Sequence, residues 1–248
     1  MEQLTKQTNT LLTNKKVVIL GGSSGIGLAT AKAAAAGGAN VIIVSSNQQR
    51  INQALAELPG SARGVTIDLT NEQQVKNFFT NLGNFDHLVY TAGENLHLAP
   101  ITDVKLSDAQ QFFNLRYWGA FTAVKYASPC INTGGSITLT GGIASARPQN
   151  GWSLGASICA AMEGFTRAMA IELAPVRVNL VSPGVVKTNL WNNMSEADRE
   201  EFYANVSNTL PVKHVGEAEE IAQTYLYLIT QQYSTGQIIV VDGGSVLV

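Results

Sequence analysis

Val17-Val18-Ile19-Leu20-Gly21-Gly22-Ser23-Ser24-Gly25-Ile26-Gly27-Leu28-Ala29 decides the fold of this chain. Its four leading apolar residues read as a short strand covered on both faces. The glycine-rich turn opens directly into Ile26–Ala36, an alanine-rich run of helix-forming composition. A strand, a glycine-rich turn and a helix start bring backbone N–H groups and a positive helix end to one point, as a pyrophosphate requires. Glycine is needed where the chain turns tightly and where a side chain would block the phosphates. The motif alone also fits a plain turn; its place between strand and helix favours the nucleotide.

Outward from this unit the alternation repeats. VIIV at Val41–Val44, GVTI at Gly64–Ile67, HLVY at His87–Tyr90, SITLT at Ser136–Thr140, VRVNLV at Val176–Val181 and QIIVV at Gln237–Val241 bring the short apolar runs to seven. Helix candidates fill the gaps at Gln48–Leu58, Glu72–Leu82, Ser107–Tyr126, Ser157–Ala174 and Glu217–Thr230. Alternating strands and helices imply right-handed crossovers and an α/β fold with a doubly wound parallel sheet. No linker, repeat or compositional break marks a second domain, so residues 15–248 form one domain behind a polar tail, residues 1–14. The Asn-, Glu- and Ser-rich stretch Lys187–Pro211 reads as an insertion placed to act as a lid.

Composition narrows the function classes. Of 248 residues 45% are hydrophobic and 14% charged, with 23 glycines, which fits a compact protein with many tight turns. A net charge of −2 without blocks of like charge gives no nucleic-acid surface. The first residues, MEQLTKQTNTLLTNKK, lack the apolar core of a signal peptide, and no apolar run approaches the ~20 residues of a spanning helix. The expectation is a cytoplasmic protein with no membrane partner. Cys130 and Cys159 have no metal-ligand spacing and are expected to be free buried thiols; no metal site is expected.

Five further stretches accompany the opening motif. Leu20–Gly27, LGGSSGIG, resembles the fingerprint of the short-chain dehydrogenase/reductase family, with Leu20 where Thr is common. Asp68-Leu69 resembles the pair that contacts adenine there, and Tyr90-Thr91-Ala92-Gly93 resembles the Asn-Asn-Ala-Gly motif with both Asn replaced. Arg177-Val178-Asn179, Ser182-Pro183-Gly184 and Thr188 resemble the stretch that clamps the nicotinamide carboxamide, and Val241-Asp242-Gly243-Gly244 the closing strand. The matches keep the family's order from about Leu12 onward. The resemblance implies a single-domain Rossmann fold that holds a nicotinamide dinucleotide. Its expected contacts are Gly21, Ser23, Ser24, Gly25, Ile26 and Gly27 at the pyrophosphate, Ser45, Ser46 and Asn47 at the adenosine ribose, and Asp68 and Leu69 at adenine. Ala92, Gly93, Pro183, Gly184, Val186 and Thr188 are expected toward the nicotinamide end. It also implies a homo-oligomer.

NAD selectivity usually needs a carboxylate after the second strand to hold the ribose 2′-hydroxyl. Ser45-Ser46-Asn47 offers three neutral hydrogen-bonding groups instead, with Arg50 the nearest cation, so NADP(H) is favoured over NAD(H).

The family's catalytic set is not where the resemblance places it. Relatives use an Asn, a Ser and a Tyr-x-x-x-Lys pair, but this chain has no Tyr between Tyr126 and Tyr203 and no Lys between Lys125 and Lys187. Counting back from Gly164-Phe165, Ala170 and Glu172 puts Gly155 at the Tyr position and Cys159 at the Lys position. Counting along SITLTGG puts Gly142 at the Ser position, with Gly141 the near alternative. Asn114-Leu115 mimics the family's Asn-Leu, yet Phe112-Phe113 and Gly119-Ala120-Phe121 align best with Arg116 at the Asn place. Trp152, three residues before Gly155, is placed to line the enlarged substrate pocket or to pack in the core. His97 and Arg147 score lower as pocket residues, and His214 is given no catalytic role.

Three readings follow from the residues. The favoured one is a nonstandard NADP(H)-dependent oxidoreductase acting on a small molecule, with Arg116 as the candidate catalytic residue. An imine, an iminium or an activated double bond needs less acid catalysis than a ketone. The alternatives are a nucleotide-binding partner subunit without turnover and a non-redox lyase or isomerase.

Overall fold

The computed structural model describes residues 11–93, 95–96 and 98–248. His97 and the first ten residues of the N-terminal tail lie outside the described residues. Seven parallel strands form one sheet: β1 Lys16–Leu20, β2 Asn40–Ser45, β3 Arg63–Thr66, β4 Phe85–Tyr90, β5 Ile131–Thr140, β6 Arg177–Pro183 and β9 Ile238–Val241. Their spatial order is β3-β2-β1-β4-β5-β6-β9, so the chain reverses direction of travel between β1 and β4. That switch point opens a crevice at the carboxyl ends of the strands. A separate two-residue pair, β7 Val186–Lys187 with β8 Gly216–Glu217, brackets the expected insertion.

Strand β1 shows why both faces must be covered. Val17 and Ile19 pack into a layer with Ala31, Ala34, Ile51 and Tyr225, whereas Val18 and Leu20 pack with Phe79, Phe112, Met162 and Phe165. The helices α1 Gly25–Ala36, α2 Gln48–Ala56 and α8 Ala218–Thr230 supply the first layer. The second comes from α3 Glu72–Leu82, α4 Leu106–Phe113, α5 Ala120–Ala127 and α6 Ser153–Glu172. All four side chains from Val17 to Leu20 are fully buried, each worth roughly 1.5–3 kcal/mol relative to exposure. The glycine-rich turn therefore hangs from a strand whose last four residues are fully buried.

Two expected elements differ in detail. The single helix read over Ser107–Tyr126 is α4, a π-helical segment Asn114–Gly119, and α5 in succession. The helix read from Ser157 begins at Ser153, because Trp152 stands at its N-cap without a side-chain cap and gives no start signal. The stretch 187–211 holds a 3₁₀ turn, Asn189–Trp191, and helix α7, Glu196–Thr209, started by Ser195 accepting from Asp198 N–H. No helix among the described residues is long and apolar enough to cross a membrane, and no His/Cys/Asp/Glu group there could hold a metal.

His87 on β4 is 5% exposed, with Nδ1 2.9 Å from Ser136 Oγ. Burial lowers its pKa from 6.5 to about 4, so the folded state keeps it neutral where the unfolded chain takes a proton. Stability from this group is complete above pH 6.5 and falls as pH drops toward 4. Urea melts should lose about 2 kcal/mol from this group between pH 7.5 and pH 5. His87→Phe should flatten that slope; an unchanged slope would refute the assignment.

Candidate functional site

A cleft of about 840 Å³ runs along the carboxyl ends of β1, β2, β4 and β5. Its floor begins at the β1–α1 turn. Gly21 has φ +89°, and a Cβ there would lie 2.5 Å from Ala92 N; a Cβ on Gly27 would overlap the Gly21 carbonyl oxygen. Both glycines let α1 start hard against the strand ends. Ser24 at the N-cap makes no side-chain cap, and no carboxylate occupies the first turn of α1. The helix therefore presents its first N–H groups and positive end to the cleft, which fits a diphosphate.

One end of the cleft is lined by Ser45, Ser46 and Arg50, and its side by Asp68 and Leu69. Asp68 is oriented by Thr70, whose N–H and hydroxyl donate to its Oδ1 at 2.9 and 2.7 Å. Asn47 does not line the cleft; its carboxamide oxygen accepts from Arg50 N–H at 2.9 Å and caps α2. Ala92 and Gly93 follow β4, and Pro183 and Thr188 close the far wall. Gly184 and Val186 stand outside that lining. A Cβ on Gly184 would lie 2.8 Å from Asp242 Cα, and Val186 is buried among Ile221, Tyr225 and the β-strand residues.

Arg116 lines the same cleft. Its guanidinium lies 3.0–3.2 Å from where a Cβ of Gly93 would stand, and its Cζ is 5.2 Å from the Phe112 ring centroid. A side chain at position 93 would displace it. Its place in the π-helical segment matters, since such insertions shift a side chain off the regular helical stripe and occur often at functional sites.

Gly142, Gly155 and Cys159 do not line the cleft. A Cβ on Gly142 would lie 3.2 Å from Cys159 Sγ, so strand end and helix are in contact there. Gly155 is buried in the first turn of α6, yet a Cβ on it would meet no other heavy atom within 4 Å. Space is left beside it. Gly141 lines the cleft, but a Cβ there would press on the Leu180 side chain at 2.9 Å. Burial pushes the Cys159 thiol up to about 11, against the lowering pull of the Arg116 guanidinium and of the Ala144 and Ser145 N–H groups. At neutral pH it is a thiol.

No Tyr, Lys or His among the described residues lines the cleft. The Tyr90 hydroxyl donates to Leu115 O at 2.5 Å, and the fully buried Tyr225 hydroxyl lies 2.6 Å from Thr140 Oγ1. Glu163, one turn beyond Cys159, takes the Ser145 hydroxyl at 2.6 Å and Arg167 at 3.3 Å. Trp152 is half-buried against the cluster of Trp191, Tyr203 and Val215 rather than in the cleft lining. Arg147 donates to Ser245 O near the C-terminus, and exposed His214 pairs with Glu220 at 3.1 Å. Both cysteines are half-buried free thiols.

Sequence reasoning missed part of the wall. Asn95, Asn189, Leu190 and Asn192 line the cleft, and Asn95 Nδ2 donates to Asn193 Oδ1 at 2.6 Å, joining two loops nearly a hundred positions apart. Solitary loop asparagines carry no periodicity that could have marked them.

The family model described as enoyl-(acyl carrier protein) reductase matches residues 21–245. The short-chain dehydrogenase/reductase ATR9 of Stachybotrys chlorohalonatus is 34% identical over 248 residues, covering 94% of this chain and 97% of its own. This chain belongs to the short-chain dehydrogenase/reductase family. A crystal structure described as a small-chain dehydrogenase in complex with NADPH superposes on this short-chain dehydrogenase/reductase with TM-score 0.85 and 37% identity, over 95% of this chain and 100% of that one. MalC of Malbranchea aurantiaca, described as a reductase/Diels-Alderase, superposes with TM-score 0.90 and 28% identity, over 97% and 100%.

Proposed function

We propose that this short-chain dehydrogenase/reductase is an NADP(H)-dependent oxidoreductase with a rebuilt active site, acting on an imine or an activated double bond. The observation that carries it is a contrast between the glycine-rich turn and the residues around Arg116 and Gly155. The glycine turn and helix start suit a diphosphate, whereas open space beside Gly155 and a guanidinium over Gly93 occupy the positions to which the family resemblance assigns an acid and an amide.

The bound nicotinamide would supply hydride, and the chain's own residues do the rest. Gly21–Gly27 and the start of α1 would hold the diphosphate, Asp68 and Leu69 the adenine, and Pro183 and Thr188 the carboxamide end. Arg116 orients the acceptor and offsets negative charge that develops on it, with a fixed planar set of donors. It gives up no proton, so substrates that need a strong acid are disfavoured. Thr188, Asn189 and Leu190 carry the 187–211 segment over the cleft as its lid, anchored by buried Trp191. The adjacent exposed rings of Trp118 and Phe121 and exposed Leu106 support assembly into a homo-oligomer. The test of the reaction class is NADPH consumption across a panel of cyclic imines, iminium salts and nitroalkenes. Absence of turnover on every member, with NADPH still bound, would favour a nucleotide-binding subunit instead.

Cofactor choice follows from the Ser45–Arg50 end. Neutral Ser45 and Ser46 beside the Arg50 cation receive a 2′-phosphate, and no acid at the end of β2 repels it. NADPH should bind roughly 10- to 100-fold more tightly than NADH, the worth of one or two hydrogen bonds to a charged group. Ser46→Asp should reverse the order. Calorimetric titration decides it, and tighter NADH binding by the unmodified chain would end the claim.

A further inference from the structure

We propose that Tyr90 is the positioning residue for Arg116, its hydroxyl holding the turn of π-helix that aims the guanidinium over Gly93. This rests on the reading of Arg116 as the group that meets substrate. Tyr90 ends β4, where the family-like motif has lost its first Asn, and it is 1% exposed. A buried phenol in that place needs a partner, and it finds one outside the sheet: its hydroxyl donates to Leu115 O at 2.5 Å. That oxygen belongs to the peptide group whose nitrogen is Arg116's own. Fixing the plane of this peptide fixes the direction in which the Arg116 side chain leaves the helix.

The helix is also shaped to admit the phenol. A Cβ on Gly119 would stand 2.6 Å from the Tyr90 hydroxyl, so strand and helix approach this closely only because position 119 is glycine. Gly119 has φ −62°, an ordinary helical value, so its need for glycine is contact and not backbone conformation. The strand side is held too: Thr140 Oγ1 donates to Tyr90 O at 2.5 Å and lies 2.6 Å from the Tyr225 hydroxyl. A chain of contacts thus runs from α8 through β5 and β4 to the π-helical segment and ends one residue before Arg116.

Cys159 offers a reporter that needs no substrate, because the Arg116 guanidinium is the largest influence lowering its thiol pKa. In a Cys130→Ser background Cys159 is the single thiol. Its alkylation by iodoacetamide after brief pH jumps gives a midpoint independent of accessibility. Arg116→Ala should raise that midpoint, Tyr90→Phe should raise it in the same direction, and the double variant should equal Arg116→Ala alone. An unchanged midpoint in Tyr90→Phe, or fully additive shifts, overturns the positioning role, even if melting temperature falls. An unchanged midpoint in Arg116→Ala overturns instead the electrostatic reach of Arg116 to Cys159. Should Tyr90→Phe fold poorly, Gly119→Ala serves: its Cβ would push the Tyr90 hydroxyl off Leu115 O and should raise the midpoint, and an unchanged midpoint in folded Gly119→Ala overturns the positioning role.

Discussion

Simple ketones and aldehydes are expected to be reduced roughly 10²- to 10⁴-fold more slowly than by an enzyme of ordinary turnover near 10 s⁻¹. Hydride addition to a carbonyl builds an alkoxide, and a site without a general acid, as proposed above, loses about that factor. No Tyr, Lys or His among the described residues lines the cleft, and Cys159 stays protonated up to about 11. For an accepted substrate, kcat/KM should accordingly be flat between about pH 6.5 and about pH 9, without the limb a catalytic Tyr produces. The space beside Gly155 makes a gain-of-function test direct. Gly155→Tyr with Cys159→Lys should raise ketone turnover only when Arg116→Asn is added, since two cations around one half-buried site repel. Steady-state NADPH oxidation with a ketone panel gives the answer. Ordinary ketone turnover by the unmodified chain would mean that another group supplies the proton.

The sheet was legible because parallel strands buried on both faces have to be apolar throughout. VVIL, VIIV and HLVY could be little else between helix-like runs. The crevice was legible for the same reason, since strand order and glycine turn together fix where a parallel sheet opens. Three features were not legible. The π insertion at Asn114–Gly119 adds one residue to an amphipathic run and barely disturbs its period, so Ser107–Tyr126 read as one helix. The start of α6 at Ser153 has no capping signal in Trp152. Asn47 looked like a cofactor contact because its type suits both a ribose and a helix cap, and the backbone of Arg50 claimed it. Of the residues singled out by counting along the chain, Gly142 and Cys159 are in contact and Cys159 lies within the electrostatic reach of Arg116.

Arg116→Ala is expected to lower turnover of an accepted imine or activated alkene by roughly 10²- to 10³-fold, the scale of losing one preorganised donor at developing charge. The guanidinium has little freedom to act otherwise: Phe112 lies beneath it, Gly93 leaves room for it, and the peptide before it is tied to Tyr90. NADPH affinity should change little if the guanidinium meets substrate and not the diphosphate or adenosine, as the proposed function has it. Arg116→Lys should recover only a small part of the loss. An ammonium keeps the charge but concentrates it at a point and offers no planar fork of donors. Kinetics and NADPH titration on the three proteins separate the alternatives. A drop in NADPH affinity matching the drop in turnover would make Arg116 a cofactor ligand. Full rescue by Arg116→Lys would reduce its part to charge alone, and unchanged turnover in Arg116→Ala would remove it from the reaction.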